Sequence, residues 1–106
     1  MFCASWRTES IPQMRLLESR IERRLRERSP VPLLKIKTPS GTGWPDRLAL
    51  LSAGRVVWIE LKRPGAPVRP KQAYIHRELR ALGHDVIVAW SAEEALAELA
   101  KFLPAG

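Results

Sequence analysis

Two apolar segments at residues 47–51 and 55–61, joined by the short run SAG, predict a β-hairpin around which the rest of the chain must be arranged. Side chains of a strand alternate between its faces, so Val57, Ile59 and Leu61 share one face, which is wholly aliphatic from residue 57 onward. Glu60 and Lys62 fall on the other face, near the end of the strand. A carboxylate and an ammonium group therefore share one face of a strand whose opposite face must be buried.

The remaining periodic segments place helices and strands on both sides of this hairpin. They predict a helix from Ser10 to about Arg28, a strand at 33–38, a helix at 70–82, a strand at 85–90, and a last helix that a Ser91/Glu94 capping box begins. Gly83 should end the second helix, with Ala73, Leu79 and Leu82 buried beneath it. The order is α-β-β-β-α-β-α, and the strand-helix-strand passage predicts a mixed sheet covered by helices, an α/β fold.

The length of 106 residues suits one domain spanning 1–106, with 1–9 as a flexible N-terminus. Residues 1–80 hold 17 of the 18 Lys and Arg but 7 of the 11 acids, a net charge of +10 against −3 for the remainder. A phosphate backbone would bind such a basic region, although a solvated surface or an acidic protein partner would explain it equally. The absence of a long apolar run predicts a cytoplasmic protein with no membrane partner.

Asp46 joins Glu60 and Lys62 in a constellation that can perform hydrolysis. It begins the preceding strand of the same hairpin, so two carboxylates should converge. Mg²⁺ and similar ions prefer oxygen ligands and are held by one or two carboxylates with water and phosphate. A lysine beside the ion can orient or deprotonate the attacking water. The alternative interpretation is a structural ion pair at a sheet edge, because Glu-x-Lys pairs are common.

The run Gly43-Trp44-Pro45-Asp46, followed after thirteen residues by Glu60-Leu61-Lys62, resembles the signature of PD-(D/E)xK nucleases. A wider pattern, GWPDRLALLSAGRVVWIELKRPGAPVRPKQ and then LRALGHDVIVAWSAEEA, resembles the VRR-NUC family of small, often phage-encoded nucleases. The resemblance covers roughly residues 14–100 and implies a restriction-endonuclease-like core.

The resemblance further implies a Mg²⁺- or Mn²⁺-dependent deoxyribonuclease, in a bacterial or phage-infected host cell, that hydrolyses phosphodiester bonds. Asp46, Glu60 and the Leu61 carbonyl would hold the ion, and Lys62 would activate water. Gln72 matches a family glutamine that lines the site. Its alternative interpretation is a helix-start residue that caps backbone groups.

The family also places a glutamate of the first helix at the metal, and the sequence offers Glu18 and Glu22. At about 100° per residue, Glu18 borders the apolar stripe that includes Ile21 and Leu25, whereas Glu22 lies farther toward solvent. We therefore favour Glu18 as both a metal ligand and a catalytic residue, with Glu22 as the alternative. Alternatively, neither glutamate binds metal, and both only form ion pairs with arginines on a charged helix.

DNA contacts are assigned to basic and aromatic residues around the site: Lys35, Lys37, Trp44, Arg47, Arg63, Arg69 and Lys71. Trp44 precedes Asp46 in a loop, where an aromatic ring can stack on a base. Trp58 and Trp90 lie in predicted strands and are expected in the core. His76 and His84 have no metal-ligand spacing and are expected at the surface.

Taken together, the resemblance and the charge predict a structure-selective endonuclease that acts on branched DNA such as Holliday junctions, as a homodimer. Two active sites related by a two-fold axis would serve a symmetric substrate. The alternatives are a catalytically idle nucleic-acid-binding module, whose affinity would fall steeply with salt, and a structural protein indifferent to Mg²⁺.

Overall fold

The structure is a computed structural model that describes residues 19–38 and 42–104. Residues 19–28 are helical (α1), and the elements that follow are β1 (Leu33–Lys35), β2 (Arg47–Leu50), β3 (Val56–Leu61), α2 (Pro70–Ala81), β4 (Asp85–Ala89) and α3 (Ala92–Ala100). The predicted order is confirmed, while the predicted helix start at Ser10 and the N-terminus 1–9 lie outside the described residues. Within the described ranges, no helix is long and apolar enough to cross a membrane.

The four strands lie in the sheet in the same order as in the chain. β1, β2 and β3 are antiparallel, with Lys35 opposite Arg47 and Leu48 opposite Trp58. β4 runs parallel to β3, and α2 lies between them in the chain. β1 is shorter than the predicted 33–38, because the partner strand β2 begins only at the residue opposite Lys35. The predicted mixed sheet with flanking helices is confirmed.

The connections have the backbone geometry that their residues favour. Between β2 and β3, a 3-10 turn spans Ser52–Gly54, in which Gly54 has φ of +73° and Ala53 has φ of +61°. Glycine adopts such values without steric cost, whereas alanine does so less readily. After α2, Gly83 has φ of +91°, and the His84 N–H donates to the Leu79 carbonyl at 2.9 Å. This 6→1 bond is the Schellman stop that Gly83 predicted.

The predicted Ser91/Glu94 capping box forms in part at the start of α3: Ser91 is the N-cap, but the Glu94 side chain bonds to the residue before it. The Glu94 N–H donates to Ser91 Oγ at 3.0 Å, and Glu94 Oε1 accepts from the Trp90 N–H at 3.0 Å. The first bond satisfies a donor that a helix start would otherwise leave without a partner, and the second ties the end of β4 to the first turn of α3. Ser91 therefore fixes where β4 ends and α3 begins.

The hydrophobic core lies between one face of the sheet and the helices α1 and α3. Its buried members are Leu25, Ala49, Val57, Ile59, Ile87, Ala89, Ala92, Ala95 and Leu99. Fully burying a leucine contributes about 1.5–3 kcal/mol, and Leu25 and Leu99 are both completely buried. This aliphatic layer anchors the face of β3 opposite to Glu60 and Lys62.

Helix α2 packs chiefly against β4, on that opposite face of the sheet, and its side chains reach Glu60 and Lys62. It buries Leu79 as predicted and leaves Ala73 half-buried. The predicted burial of Leu82 is wrong, since this side chain is 77% exposed. The helix ends at Ala81, so Leu82 is its C-cap and lies past the part that covers the sheet.

Candidate active site

Asp46 and Glu60 come together because of the register of the hairpin. Arg47 is opposite Ile59, so Asp46, one residue earlier, comes opposite Glu60. Residues opposite each other in antiparallel strands project from the same face of the sheet. On its other side, the Asp46 carbonyl accepts a hydrogen bond of 2.7 Å from the Ile36 N–H. The predicted convergence of two carboxylates thus follows from backbone pairing on both sides of Asp46.

Lys62 is held through its backbone and through its ammonium group. Its N–H donates to the Ala89 carbonyl at 2.8 Å, and its Nζ donates to Gln72 Oε1 at 2.5 Å. The same Gln72 oxygen accepts from the Arg69 N–H at 2.9 Å, at the start of α2. Glu60 and Lys62 are only 8% and 9% exposed. Gln72 therefore fits both of its interpretations, since it caps the helix and positions Lys62.

A polar cavity of about 490 Å³ opens beside these residues. It is lined by the residues with expected catalytic or metal-binding roles, Asp46, Glu60, Leu61, Lys62 and Gln72. Four of the predicted DNA contacts also line it: Lys35, Arg47, Arg63 and Arg69. The remaining lining residues are Ser19, Glu22, Ala66 and Pro67. The other three predicted DNA contacts, Lys37, Trp44 and Lys71, lie outside this lining. Acidic and basic groups thus face one space, as binding of a cation together with a phosphate requires.

Glu22 reaches the cavity from α1 and contacts Arg47. Arg47 Nη2 lies 2.7 Å from Glu22 Oε2, and Arg47 Nη1 lies 2.6 Å from Asp46 Oδ1. Burial raises the pKa of Glu22, but the hydrogen bond from Arg47 and the charges of Arg47, Lys35 and Arg26 outweigh it and hold this pKa below its usual value. Glu18, the helix residue that the sequence favoured, lies outside the described residues.

His76 was expected at the surface, and that expectation is wrong. The side chain is buried under α2, where its Nε2 lies 3.6 Å from Glu60 Oε1. Burial lowers the pKa of His76, and the charges of Arg80 and Lys62 lower it further, so the ring is neutral at neutral pH. The available signal was spacing, because His76 follows Gln72 by one helical turn and shares its face. α2 therefore contacts both charged residues of the Glu-x-Lys pair.

The segment before Asp46 packs closely against α2. Gly43 has φ of +96°, and a Cβ placed on it would lie 3.0 Å from Lys71 Cγ and 3.1 Å from the Lys71 carbonyl oxygen. Trp44 is 36% exposed, and its ring centroid lies 6.0 Å from that of the half-buried Trp58. Edge-on to Trp58 lies the ring of His84. Trp44 is therefore partly accessible to solvent, but it does not line the cavity.

The loop between β3 and α2 is fixed by the end of β4. Trp90 is half-buried, and its Nε1 donates a hydrogen bond of 2.6 Å to the carbonyl of Ala66. Ala66 and Pro67 of this loop line the cavity. One indole thus sets the position of the cavity wall.

The donors around the cavity suit a hard divalent cation. The cavity is lined by the carboxylate residues Asp46 and Glu60 and by Leu61, whose candidate ligand is its backbone carbonyl. Oxygen ligands of this kind are the ones that Mg²⁺ and Mn²⁺ prefer. In the parts of the chain that the structure describes, no three acidic, histidine or cysteine side chains form a metal-binding group. The described side chains thus fit an ion held by two carboxylates with backbone oxygen, water and phosphate.

Comparisons with known proteins identify the family to which the chain belongs. No family model matches the chain. The chain is 41% identical over 71 residues to the protein named "Putative nuclease p44" of Acyrthosiphon pisum secondary endosymbiont phage 1, a match that covers 67% of this chain and 71% of the relative. A solved structure described as a VRR_NUC domain is similar with a TM-score of 0.67 and 25% identity, over 79% of this chain and 94% of that one. The chain therefore belongs to the VRR-NUC family of nucleases.

Proposed function

We propose that this nuclease is a Mg²⁺- or Mn²⁺-dependent DNA endonuclease, and that its single domain, 1–106, hydrolyses phosphodiester bonds at the cavity. The observation that carries the proposal is the fixed position of Lys62 beside Asp46 and Glu60, all of which line the cavity. Asp46, Glu60 and the Leu61 carbonyl would hold the ion, which supplies charge stabilisation on the phosphate. The helix ligand would come from Glu18 or Glu22.

The protein's own groups would perform the remaining tasks. Lys62, held by Gln72, orients the attacking water toward the phosphorus. The basic residues Lys35, Arg63 and Arg69 at the cavity bind phosphate oxygens, while Lys37, Trp44 and Lys71 contact DNA farther out. Because the sequence has no zinc-finger spacing and residues 19–38 and 42–104 form no recognition-helix module, the protein would select DNA by shape. The relative encoded by a phage supports action in the cytoplasm of a bacterial or phage-infected cell.

The test is cleavage of labelled linear duplex, single-stranded, flap and four-way-junction DNA with Mg²⁺, Mn²⁺ or EDTA. Lys62→Ala should abolish cleavage and leave DNA affinity nearly unchanged, whereas Lys101→Ala, which removes one charge from the surface after α3, should affect neither. Asp46→Asn and Glu60→Gln should lose metal-dependent cleavage. Glu18→Gln and Glu22→Gln, compared in the same assay, identify the helix ligand by the larger loss.

Other outcomes lead to the alternative function. DNA binding with a steep salt dependence but no cleavage of any substrate would indicate an idle nucleic-acid-binding module. Full activity of Lys62→Ala would remove this residue from the chemistry.

We also propose a homodimer that acts on branched DNA such as Holliday junctions. Symmetric incision needs two active sites, and the described residues of one chain form one cavity lined by Asp46, Glu60 and Lys62. A C₂ pair would supply both sites with one self-complementary surface. Light scattering at micromolar concentration should give twice the chain mass of 12.0 kDa. A monomer without preference for junctions over linear duplex would refute this part and leave the nuclease chemistry standing.

A further inference from the structure

Arg47 was assigned to DNA from the sequence, yet its guanidinium is already bound by two carboxylates of its own chain. Nη1 lies 2.6 Å from Asp46 Oδ1, and Nη2 lies 2.7 Å from Glu22 Oε2. The Arg47 side chain is 12% exposed, compared with 22% for Glu22 and 45% for Asp46. The guanidinium therefore lies between the carboxylates and is largely shielded from solvent.

Two carboxylates that converge on one point need a positive charge between them. The planar guanidinium meets this need, because its separate N–H groups can bind two oxygens at once. A divalent cation meets the same need with oxygen ligands from the same side chains. Both cannot occupy the space between Asp46 and Glu22, because the cation would then lie against the guanidinium charge.

We propose that Arg47 is a resident counter-ion of this cavity, which a divalent cation must displace from Asp46 and Glu22 when it binds to them. This inference rests on the proposed metal site and deepens it. The displaced guanidinium remains at the cavity, where it is available to a phosphate oxygen of DNA. Arg47 is thus a positioning residue whose partner changes from carboxylate to phosphate when the cation arrives.

The size of the effect follows from competition. When a ligand binds only molecules whose site is open, its apparent affinity is reduced by the fraction that is open. Two charge-assisted hydrogen bonds keep most molecules closed, so the open fraction is expected to be about one tenth or less. Removing the guanidinium should therefore tighten cation binding about tenfold or more.

The experiment is calorimetric titration of Mn²⁺ into the metal-free protein without DNA, for wild type, Arg47→Ala, Arg47→Lys and Lys35→Ala. Lys35 is the matched control, since it lines the same cavity and its charge acts on Glu22. Among the described residues it forms no ion pair. Arg47→Lys keeps the charge but cannot bridge two carboxylates as a fork does. Thermal melting of each variant in EDTA and in Mn²⁺ gives a second measurement.

Arg47→Ala should bind Mn²⁺ about tenfold more tightly than wild type, Arg47→Lys should lie between them, and Lys35→Ala should change affinity less than about threefold. In EDTA, Arg47→Ala should melt below wild type, and Mn²⁺ should raise its melting temperature by more. Unchanged or weaker binding by Arg47→Ala would overturn the inference alone, as would equal tightening by Lys35→Ala. If wild type and every variant bind no Mn²⁺, the proposed metal site and this inference both fail.

Discussion

The hydrogen bond between Lys62 and Gln72 can be measured by replacing both residues in a double-mutant cycle. Gln72→Ala removes two bonds, from the Lys62 ammonium and from the Arg69 N–H. A bond to a charged group contributes about 1.5–3 kcal/mol and a neutral one about 1 kcal/mol. Since Lys62 is only 9% exposed, water replaces its lost partner poorly. We expect Gln72→Ala to lower the free energy of unfolding by about 2.5–4 kcal/mol.

In a Lys62→Met background, only the bond to Arg69 remains to be lost. Gln72→Ala should then cost about 1 kcal/mol, which leaves a coupling energy of about 1.5–3 kcal/mol between the two residues. Urea denaturation of the four proteins at pH 7.5 gives these values, and Lys71→Ala, an exposed neighbour at the same helix start, should stay within about 0.5 kcal/mol of wild type. Equal costs of Gln72→Ala in both backgrounds would refute the argument that Gln72 holds the lysine.

Three further predictions concern stability. Folding lowers the pKa of His76, so as the pH falls the unfolded chain takes up a proton before the folded chain does. The free energy of unfolding should therefore decrease below about pH 6.5, and the decrease should be smaller in His76→Gln, as measured by urea midpoints at pH 7.5 and 5.5. Gly43→Ala should cost more than 1 kcal/mol, since it combines a positive φ with contacts to the Lys71 backbone, and an unchanged melting temperature would contradict this. Ser91→Ala should cost about 1 kcal/mol through the lost bond from Glu94, and a stability equal to wild type would show that the cap is replaced by water.

Local patterns predicted the parts of this protein that depend on neighbours in the chain. The alternation in β3 identified Glu60 and Lys62 as sharing a face, and Gly83 and Ser91 marked a helix end and a helix start. Each of these features is fixed by backbone geometry within a few residues. The structure therefore reproduces them almost without change.

The features that the sequence did not predict depend on packing between elements. The sequence around His76 suggests a surface residue, but the packing of α2 on the sheet buries its ring beside Glu60. The pairing of Arg47 with Glu22 joins a strand to α1, and no spacing along the chain indicates it. Leu82 fits an apolar stripe, but the helix ends before the stripe does. Each case required the relative placement of two elements.

The sheet order β1-β2-β3-β4, identical to the chain order, also has a consequence for how fast the protein folds. Every strand pairs with a neighbour in sequence, so the loops closed on forming the sheet are short, and proteins rich in such local contacts fold quickly. The longest closure within the sheet is the parallel step from β3 to β4 across α2. We expect the β2–β3 hairpin to form first, so that Asp46 and Glu60 meet early on the folding pathway. Glu93 of α3 forms ion pairs with Arg24 and Arg28 of α1, and we expect these pairs to form after the folding transition state. Removing them should therefore change the unfolding rate more than the folding rate.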